Sequence, residues 1–218
     1  MLINDFNKSL KHYVLIVFLT ISSAAFASPN QDVFVAVGRD DPVGLRKALN
    51  AGADLNGWSQ HQETALTLSL RLGSQRVLKA LMSFRELDIN RANGAGETPL
   101  MLAAIQAEAV WLRRLLLRGA YVNHPGWTAL HYACSHNKAG GLDIVKTLLD
   151  QHAYIDTLSP NGTTPLMMAA GYSTLEVVQH LLEAGADPRL TNEQGLSASD
   201  FASKAGKSDV VKLLTQSR

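Results

Sequence analysis

The chain has 218 residues, with 20 Lys and Arg against 19 Asp and Glu, 46% hydrophobic residues, only 6% aromatic residues, and one cysteine, Cys134. This length fits one elongated domain or two small ones and excludes a large multidomain enzyme, while the composition favours a helical protein over a β-sandwich. The balanced charge makes nucleic acid an unexpected partner, and a single cysteine excludes both an intrachain disulfide and a zinc site built from several cysteines.

The N-terminus has the pattern of a secretory signal peptide. Lys8 and Lys11 precede an apolar run over residues 13–19, and the small residues Ala25 and Ala27 fit the recognition pocket of a signal peptidase. The alternative is a membrane anchor. It is less favoured because the apolar stretch is shorter than the about 20 residues that a spanning helix needs.

We therefore expect residues 1–27 to be a signal peptide and residues 28–218 to form one domain in the periplasm. Cleavage removes two lysines and one aspartate, which leaves 18 positive and 18 negative side chains. The processed protein should have no stable membrane anchor. With one cysteine, its domain must be held together by core packing alone.

A short pattern of the form Gly-Ala-Asp recurs along the chain with variations. Its second position is occupied in turn by Ala53, Leu87, Ala120, Ala153 and Ala186, at steps of 34, 33, 33 and 33 residues. A second pattern, Thr followed by Pro or Ala and then Leu, falls between these markers; it begins at Thr64, Thr98, Thr128 and Thr164. A fixed period of this length indicates a repeat protein.

The repeated segments resemble the two helices of ankyrin repeats. Residues 98–104, 128–133 and 164–170 carry the first-helix signature of that family, and residues 143–149 and 176–182 carry the second. The resemblance covers residues 31–214. It implies an all-α solenoid of helix-turn-helix units with short β-hairpin fingers, in which each unit is stabilised by stacking on its neighbours.

The repeat divides the domain into about six units. Their expected limits are 31–56 for an N-terminal cap, then 57–90, 91–123, 124–156 and 157–189, and finally 190–218 for a C-terminal cap. The fourth unit is irregular. Its finger is three residues shorter than the others, and about three extra residues appear around positions 137–141. Such changes are tolerated in loops, where they reshape a surface without breaking the stack.

Local chemistry agrees with this division. Thr98 and Thr164 can cap helices whose first turn tolerates the proline that follows. Trp111 stands where other second helices carry a branched aliphatic residue, so we assign it to the core, and pairs of adjacent leucines are expected to end the second helices with buried side chains. Three glycines should stop these helices in the left-handed conformation: Gly52, Gly119 and Gly185.

No catalytic constellation is recognised: the chain has no nucleophile elbow, no nucleotide-binding loop and no zinc-protease motif. The one suspicious cluster contains His124, His131, Cys134 and His136. The resemblance implies that His131 forms hydrogen bonds within the turn network, and Cys134 replaces a small buried alanine. A metal held by His131 and Cys134 is the less favoured alternative. We expect no catalytic residue, no cofactor and no metal.

The resemblance also implies a concave groove formed by the fingers and by the ends of the first helices. Mapped by position, the expected partner-binding residues are Trp58, His61, Glu63, Arg71, Glu97, Gln106, Trp127, His136, Thr163 and Tyr172. Trp127 is the strongest candidate, because an indole exposed on a finger is costly unless covered and because tryptophan is enriched in interface hot spots. Alternatively, Trp127 folds back over its shortened finger as local packing.

These features favour a non-enzymatic protein-binding module that is monomeric when free. The resemblance to small exported bacterial ankyrin-repeat proteins implies two roles. One is an immunity protein that neutralises a toxic effector, such as a phospholipase of a type VI secretion system; the other is an accessory factor that protects a periplasmic enzyme such as a catalase. The first is favoured because a rigid groove suits tight one-to-one inhibition. A metal-dependent enzyme is a distant third.

Overall fold

The computed structural model describes residues 28–216, so the predicted signal peptide lies outside the described residues. Twelve helices fill this range: α1 (Pro29–Gly38), α2 (Pro42–Asn50), α3 (Ala65–Leu72), α4 (Gln75–Leu81), α5 (Pro99–Ile105), α6 (Ala109–Leu117), α7 (Ala129–Ala133), α8 (Gly141–Asp150), α9 (Pro165–Tyr172), α10 (Leu175–Glu183), α11 (Ala198–Lys204) and α12 (Ser208–Gln216). Within the described range, no helix is long and apolar enough to cross a bilayer. The all-helical prediction is confirmed.

The helices are arranged as successive pairs, and each pair stacks on the next. First helices contact first helices along the whole stack, from α1 through α3, α5, α7 and α9 to α11, and second helices contact second helices in the same way in most units. The residues buried between them form one continuous apolar core. A helix pair on its own would expose the apolar side chains that it buries against its neighbours, so the core forms only when the pairs stack.

The leucines that end the second helices correct one sequence-based expectation. Each adjacent pair was expected to be buried, but only the first member is: Leu115, Leu148 and Leu181 are buried, whereas the leucine that follows each of them is half-buried. Successive helical residues point about 100° apart, so two neighbours cannot both face the same core. Trp111 is buried, as predicted.

The first helices begin at hydroxyl caps. Thr98 Oγ1 accepts a hydrogen bond from Met101 N at 3.3 Å, and Thr164 Oγ1 accepts one from Met167 N at the same distance. Pro99 and Pro165 follow directly, at the position where the missing N–H has no partner to lose. Both caps were predicted. They set the register of α5 and α9 from local sequence alone.

The second helices end where the sequence predicts. Gly52, Gly119 and Gly185 adopt φ values of 95°, 85° and 99°, a conformation that strains any residue with a Cβ. At the end of α8 the equivalent position is His152, which adopts φ 63°.

The fingers are compact turns. Isolated antiparallel bridges join Trp58 to Thr64 and Thr191 to Ser197, and these are the bridges found within residues 28–216. In each full-length finger one side-chain oxygen accepts the backbone N–H four residues later, at 3.0–3.1 Å; the accepting residues are Ser59, Asn93, Ser159 and Asn192. The fourth finger, residues 124–127, is too short to form this turn.

A ladder of side-chain amides links each unit to the next. Asn56, Asn90 and Asn123 occupy the same position in successive units. The Oδ1 atom of each accepts a backbone N–H of the following unit at 2.8–2.9 Å, and the Nδ2 atom of each donates to a carbonyl of that unit. Asp156 continues the series as an acceptor from Asp187 N at 3.1 Å. We call this set the amide ladder. It fixes the spacing between units at the base of the fingers.

The packing predicts opposite results for two leucines. Leu148 on α8 is fully buried, whereas Leu117 on α6 is 87% exposed. Leu148→Ala should cost about 2–5 kcal/mol of the free energy of unfolding, because it leaves a cavity between units. Leu117→Ala should change this free energy by no more than about 0.5 kcal/mol. Urea unfolding of both variants measures the difference, and equal losses would show that the stack is not packed as described.

Candidate protein-binding surface

The residues that the sequence predicts to contact a partner lie on two kinds of element. Trp58, His61 and Trp127 lie on fingers, and the remaining accessible candidates lie at the C-terminal ends of first helices or just beyond them. We call this set the finger surface, formed by Trp58, His61, Arg71, Gln106, Trp127, His136 and Tyr172. All seven side chains are exposed or half-buried.

A polar network lies beneath the finger surface between the second and third units. Arg71, at the end of α3, donates from Nε to Glu63 Oε1 at 3.0 Å and from Nη2 to Glu97 Oε2. Asn93 Nδ2 contacts both carboxylates, at 3.2 Å from Glu63 Oε2 and 2.8 Å from Glu97 Oε2. From the fourth unit, the Tyr132 hydroxyl donates to Glu97 Oε1 at 3.2 Å. Three units therefore share one set of hydrogen bonds.

The network corrects the roles expected for Glu63 and Glu97. Both residues are buried, at 7% and 5% exposure, and their carboxylates are occupied by Arg71 and Asn93. They orient Arg71 and do not themselves reach a partner. Removing one member of a buried ion pair leaves the other charge unpaired, which typically costs about 3–5 kcal/mol. Substitutions in this network should therefore destabilise the fold.

Trp127 lies against His131, which is in the first turn of the helix that follows its finger. The indole of Trp127 and the imidazole of His131 meet edge to face, with ring centroids 5.2 Å apart and an interplanar angle of 77°. Trp127 is half-buried and packs against the core. One part of the indole therefore packs locally, as the second alternative expects, and the other part remains accessible; contact of Trp127 with a partner stays a prediction.

His131 joins the fourth unit to the fifth. Its Nδ1 atom accepts the Thr128 backbone N–H at 3.2 Å, so Nε2 carries the proton and donates it to the Thr163 carbonyl at 2.9 Å. The predicted hydrogen bonds of His131 within the turn network are confirmed. Thr163 was expected to contact a partner, but its side chain is buried and its carbonyl is bound by His131, so this expectation is wrong.

The extra residues of the fourth unit form a loop that reaches back to the third. In this loop, residues 135–140, His136 Nε2 donates to the Ala104 carbonyl at 3.0 Å. Lys138 Nζ donates to the Ile105 carbonyl and to Gln106 Oε1, both at 2.8 Å. The loop satisfies carbonyls at the end of α5 that have no partner within the helix. It also brings two predicted contact residues, Gln106 and His136, to one place.

At the second finger, Trp58 is 54% exposed, and the Arg91 guanidinium lies 4.7 Å from the centroid of its ring. The Nε atom of Arg91 is buried and has no hydrogen-bond partner within the described residues. A cation over an indole is a favourable contact and restrains both side chains. Nearby, His61 is exposed, and its backbone N–H donates to Ser59 Oγ at 3.2 Å.

Sequence reasoning missed three residues that shape this surface: Arg91, Asn93 and Tyr132. A signal existed for two of them. Asn93 stands five residues before the capping threonine, where the other full-length fingers carry a serine or an asparagine. Tyr132 stands at a position that holds Leu68, Leu102 and Met168 in the other full repeats. No pattern singled out Arg91.

The arrangement of exposed and half-buried side chains is suited to contact with a partner surface. Cys134 is fully buried, and burial raises the pKa of its thiol, so the sulfur stays protonated. Over residues 28–216, no three His, Cys, Asp or Glu side chains converge as they would around a metal ion. The Tyr172 hydroxyl, at the end of α9, has its pKa raised by burial.

Comparisons with known proteins agree on the repeat. A family model for ankyrin repeats in three copies matches residues 71–158 and 138–218. The nuclear factor NF-kappa-B p105 subunit of Mus musculus is 33% identical over 170 residues, which are 73% of this chain but only 17% of p105. The putative ankyrin repeat protein YahD of Escherichia coli K12 is 29% identical over 193 residues, which are 84% of this chain and 94% of YahD.

Among solved structures, one chain of a complex between an enzyme and an immunity protein matches this fold over nearly the whole of that chain. The complex is that of the predatory endopeptidase Bd0816 from Bdellovibrio bacteriovorus with immunity protein Bd3460. The matched chain aligns with a TM-score of 0.72 and 25% identity, over 86% of the present chain and 98% of its own length.

The buried His131 predicts a pH dependence of stability. Burial lowers its pKa from 6.5 to about 4, so below pH 6.5 the unfolded chain binds a proton here that the folded chain does not. The free energy of unfolding therefore decreases as the pH is lowered, and His131 accounts for about 2 kcal/mol of this decrease between pH 7 and pH 5. Urea unfolding at both pH values should show that His131→Gln loses this part of the pH dependence.

Burial also lowers the pKa of His136, so a smaller pH dependence of stability, of the same sign, should remain in the variant. An unchanged pH dependence in the variant would contradict the assignment to His131.

Proposed function

The chain belongs to the ankyrin-repeat family, and from that premise we propose that it is a non-catalytic immunity protein that binds and neutralises a toxic enzyme through its finger surface. The observation that carries this proposal is the likeness to an immunity protein in complex with an endopeptidase. The likeness covers 98% of the matched chain, so it involves the whole stack and not one repeat.

The local geometry supports tight binding. Arg71 is held by two carboxylates, Trp127 by His131, and the loop 135–140 by carbonyls of the preceding unit. Side chains that are already ordered lose little entropy when a partner binds, and more of the contact energy appears as affinity. Trp58 and Trp127 provide two partly exposed indoles of the kind that dominates interface hot spots.

We propose that the protein works in the periplasm as a monomer when free, after a signal peptide of residues 1–27 has been removed. Cleavage before Ser28 would leave α1 with its cap, since Ser28 Oγ accepts a hydrogen bond from Gln31 N at 3.4 Å. The target enzyme is either a phospholipase effector of a type VI secretion system, which the sequence resemblance favours, or an endopeptidase, which the structural neighbour favours.

Export is tested by N-terminal sequencing of protein recovered from fractionated cells. The periplasmic form should begin at Ser28, because Ala25 and Ala27 suit signal peptidase and Ser28 already caps α1. Protein that keeps Met1 and is recovered with the membrane fraction would overturn the location.

Binding is tested with Trp127→Ala against the product of the gene next to this one, where the proposal places the gene of the target enzyme. Loss of the accessible part of the indole should weaken affinity by 2 kcal/mol or more, about thirtyfold. Loss of the contact with His131 should cost only about 1 kcal/mol of stability. Calorimetric titration measures the first quantity and urea unfolding the second.

The matched control is Tyr121→Ala. Tyr121 is 68% exposed and follows α6, and it is not one of the seven residues of the finger surface, so its removal should leave affinity unchanged. In cells, the Trp127 variant should be present at normal levels and fail to protect. Normal binding by Trp127→Ala, or equal weakening by Tyr121→Ala, would contradict the assignment of the finger surface.

A further inference from the structure

The second helices of the first three units share a charge of one sign. The helices α2, α4 and α6 contain no Asp or Glu, and all of their charged side chains are exposed cations: Arg46, Lys47, Arg76, Lys79, Arg113 and Arg114. The helix α2 packs on α4, and α6 is joined to α4 by Trp111 Nε1, which donates to Gln75 Oε1 at 2.6 Å. The six exposed cations therefore lie on three successive helices along one side of the stack. We call this side the basic face.

The second helices of the last three units have the opposite charge. The helices α8, α10 and α12 carry five acidic residues against only two lysines, Lys146 and Lys212; the acidic residues are Asp143, Asp150, Glu176, Glu183 and Asp209. The whole chain is nearly neutral, so the basic face arises from placement along the stack and not from composition.

The acidic side chains near the basic face accept hydrogen bonds from residues at the starts of helices. Asp41 Oδ1 accepts Val43 N at 3.0 Å, Asp40 Oδ1 accepts Val77 N at 2.8 Å, and Glu108 Oε1 accepts from Gln75 Nε2 at 3.3 Å. Glu86 and Asp88 lie in the turn after α4. Among the described residues, none of the six cations forms an ion pair with these groups or with any other. Two of them lie over aromatic rings: Arg46 is 5.9 Å from the centroid of the Phe84 ring, and Arg114 is 4.8 Å from that of Trp111. No carboxylate of residues 28–216 neutralises any of the six, so their charge is available to an anionic ligand.

Exposed aliphatic side chains lie among these cations. Val43 on α2 is 72% exposed and Val110 on α6 is 57% exposed, and Leu117 projects from the other end of α6. Val110 and Leu117 are seven residues apart and so share one side of that helix. In the fourth and fifth units the positions of Val110 and Leu117 carry acidic residues.

We propose that the basic face seats the protein on an anionic bilayer surface. Each basic residue near such a surface adds to the electrostatic attraction, and exposed aliphatic residues among the basic ones enter the headgroup region. An acidic protein partner would be expected to find an aromatic anchor, yet the one aromatic residue on α2, α4 and α6, Trp111, is buried, and the exposed apolar residues of these helices are aliphatic. The contact is reversible and needs no spanning helix. It uses the second helices, so the finger surface stays free.

Vesicle sedimentation tests this proposal. Protein produced from the full sequence, with the same N-terminus in every variant, is mixed with phosphatidylcholine vesicles, with or without about one third phosphatidylglycerol. It should bind only the anionic vesicles at about 0.1 M salt and be released at about 1 M salt. Lys79→Glu combined with Arg113→Glu should lower the partition coefficient at least tenfold. Leu117→Asn should lower it severalfold without any change in charge.

The matched control is Lys146→Glu combined with Lys212→Glu, which makes the same change in net charge outside the basic face. This pair should lower binding far less than the first. Equal binding to both kinds of vesicle, equal effects of the two charge-reversed pairs, or no binding to anionic vesicles would overturn the proposal. The last result would also be obtained if the basic face instead bound an acidic protein or a second copy of the chain. Circular dichroism should show unchanged melting for all variants.

Discussion

Each unit of this protein can bury its apolar side chains only against the next unit, and the rest of the structure depends on this stacking. Leu148 and the other buried leucines belong to one apolar core that runs through all the units. The polar contacts follow the same rule: the amide ladder joins every inner unit to its neighbour, and His131 donates to the Thr163 carbonyl of the following finger. Because the core is continuous, the fingers and the outward sides of the second helices can vary without weakening it.

Much of the fold could be predicted because its signals are local. A threonine followed by proline starts a helix at Thr98, and a glycine stops one at Gly119, whatever the rest of the chain does. The 33-residue period then supplies the stacking. The burial of Glu63 and Glu97 could not be obtained in this way, because each has a partner in another unit. Asn93 reaches Glu63 across 30 residues, Arg71 reaches Glu97 across 26, and Tyr132 reaches Glu97 across 35. Such pairs depend on how far two fingers approach, which no local pattern encodes.

The two proposed surfaces use different elements of the same stack. The finger surface rests on short turns and helix ends that are held by hydrogen bonds from neighbouring units, as the loop 135–140 is held by α5. The basic face is a set of solvent-exposed side chains on α2, α4 and α6, helices that are fixed by their buried sides. A protein seated through one side could present the other to an enzyme that works near the membrane. The irregular fourth unit, which has the shortest finger and the longest loop, contributes Trp127 and His136 to the finger surface.

The central claim is that the finger surface is built before the partner arrives and is the place where it binds. Hydrogen–deuterium exchange of the protein, alone and with the product of the neighbouring gene, measures both properties. The account predicts that backbone amides held by the finger turns, such as Glu63 N and Glu97 N, already exchange slowly in the free protein. On binding, further protection should appear over residues 58–63, 124–128 and 135–140. Protection confined to α2, α4 and α6, or fingers that exchange freely until the partner is added, would contradict it.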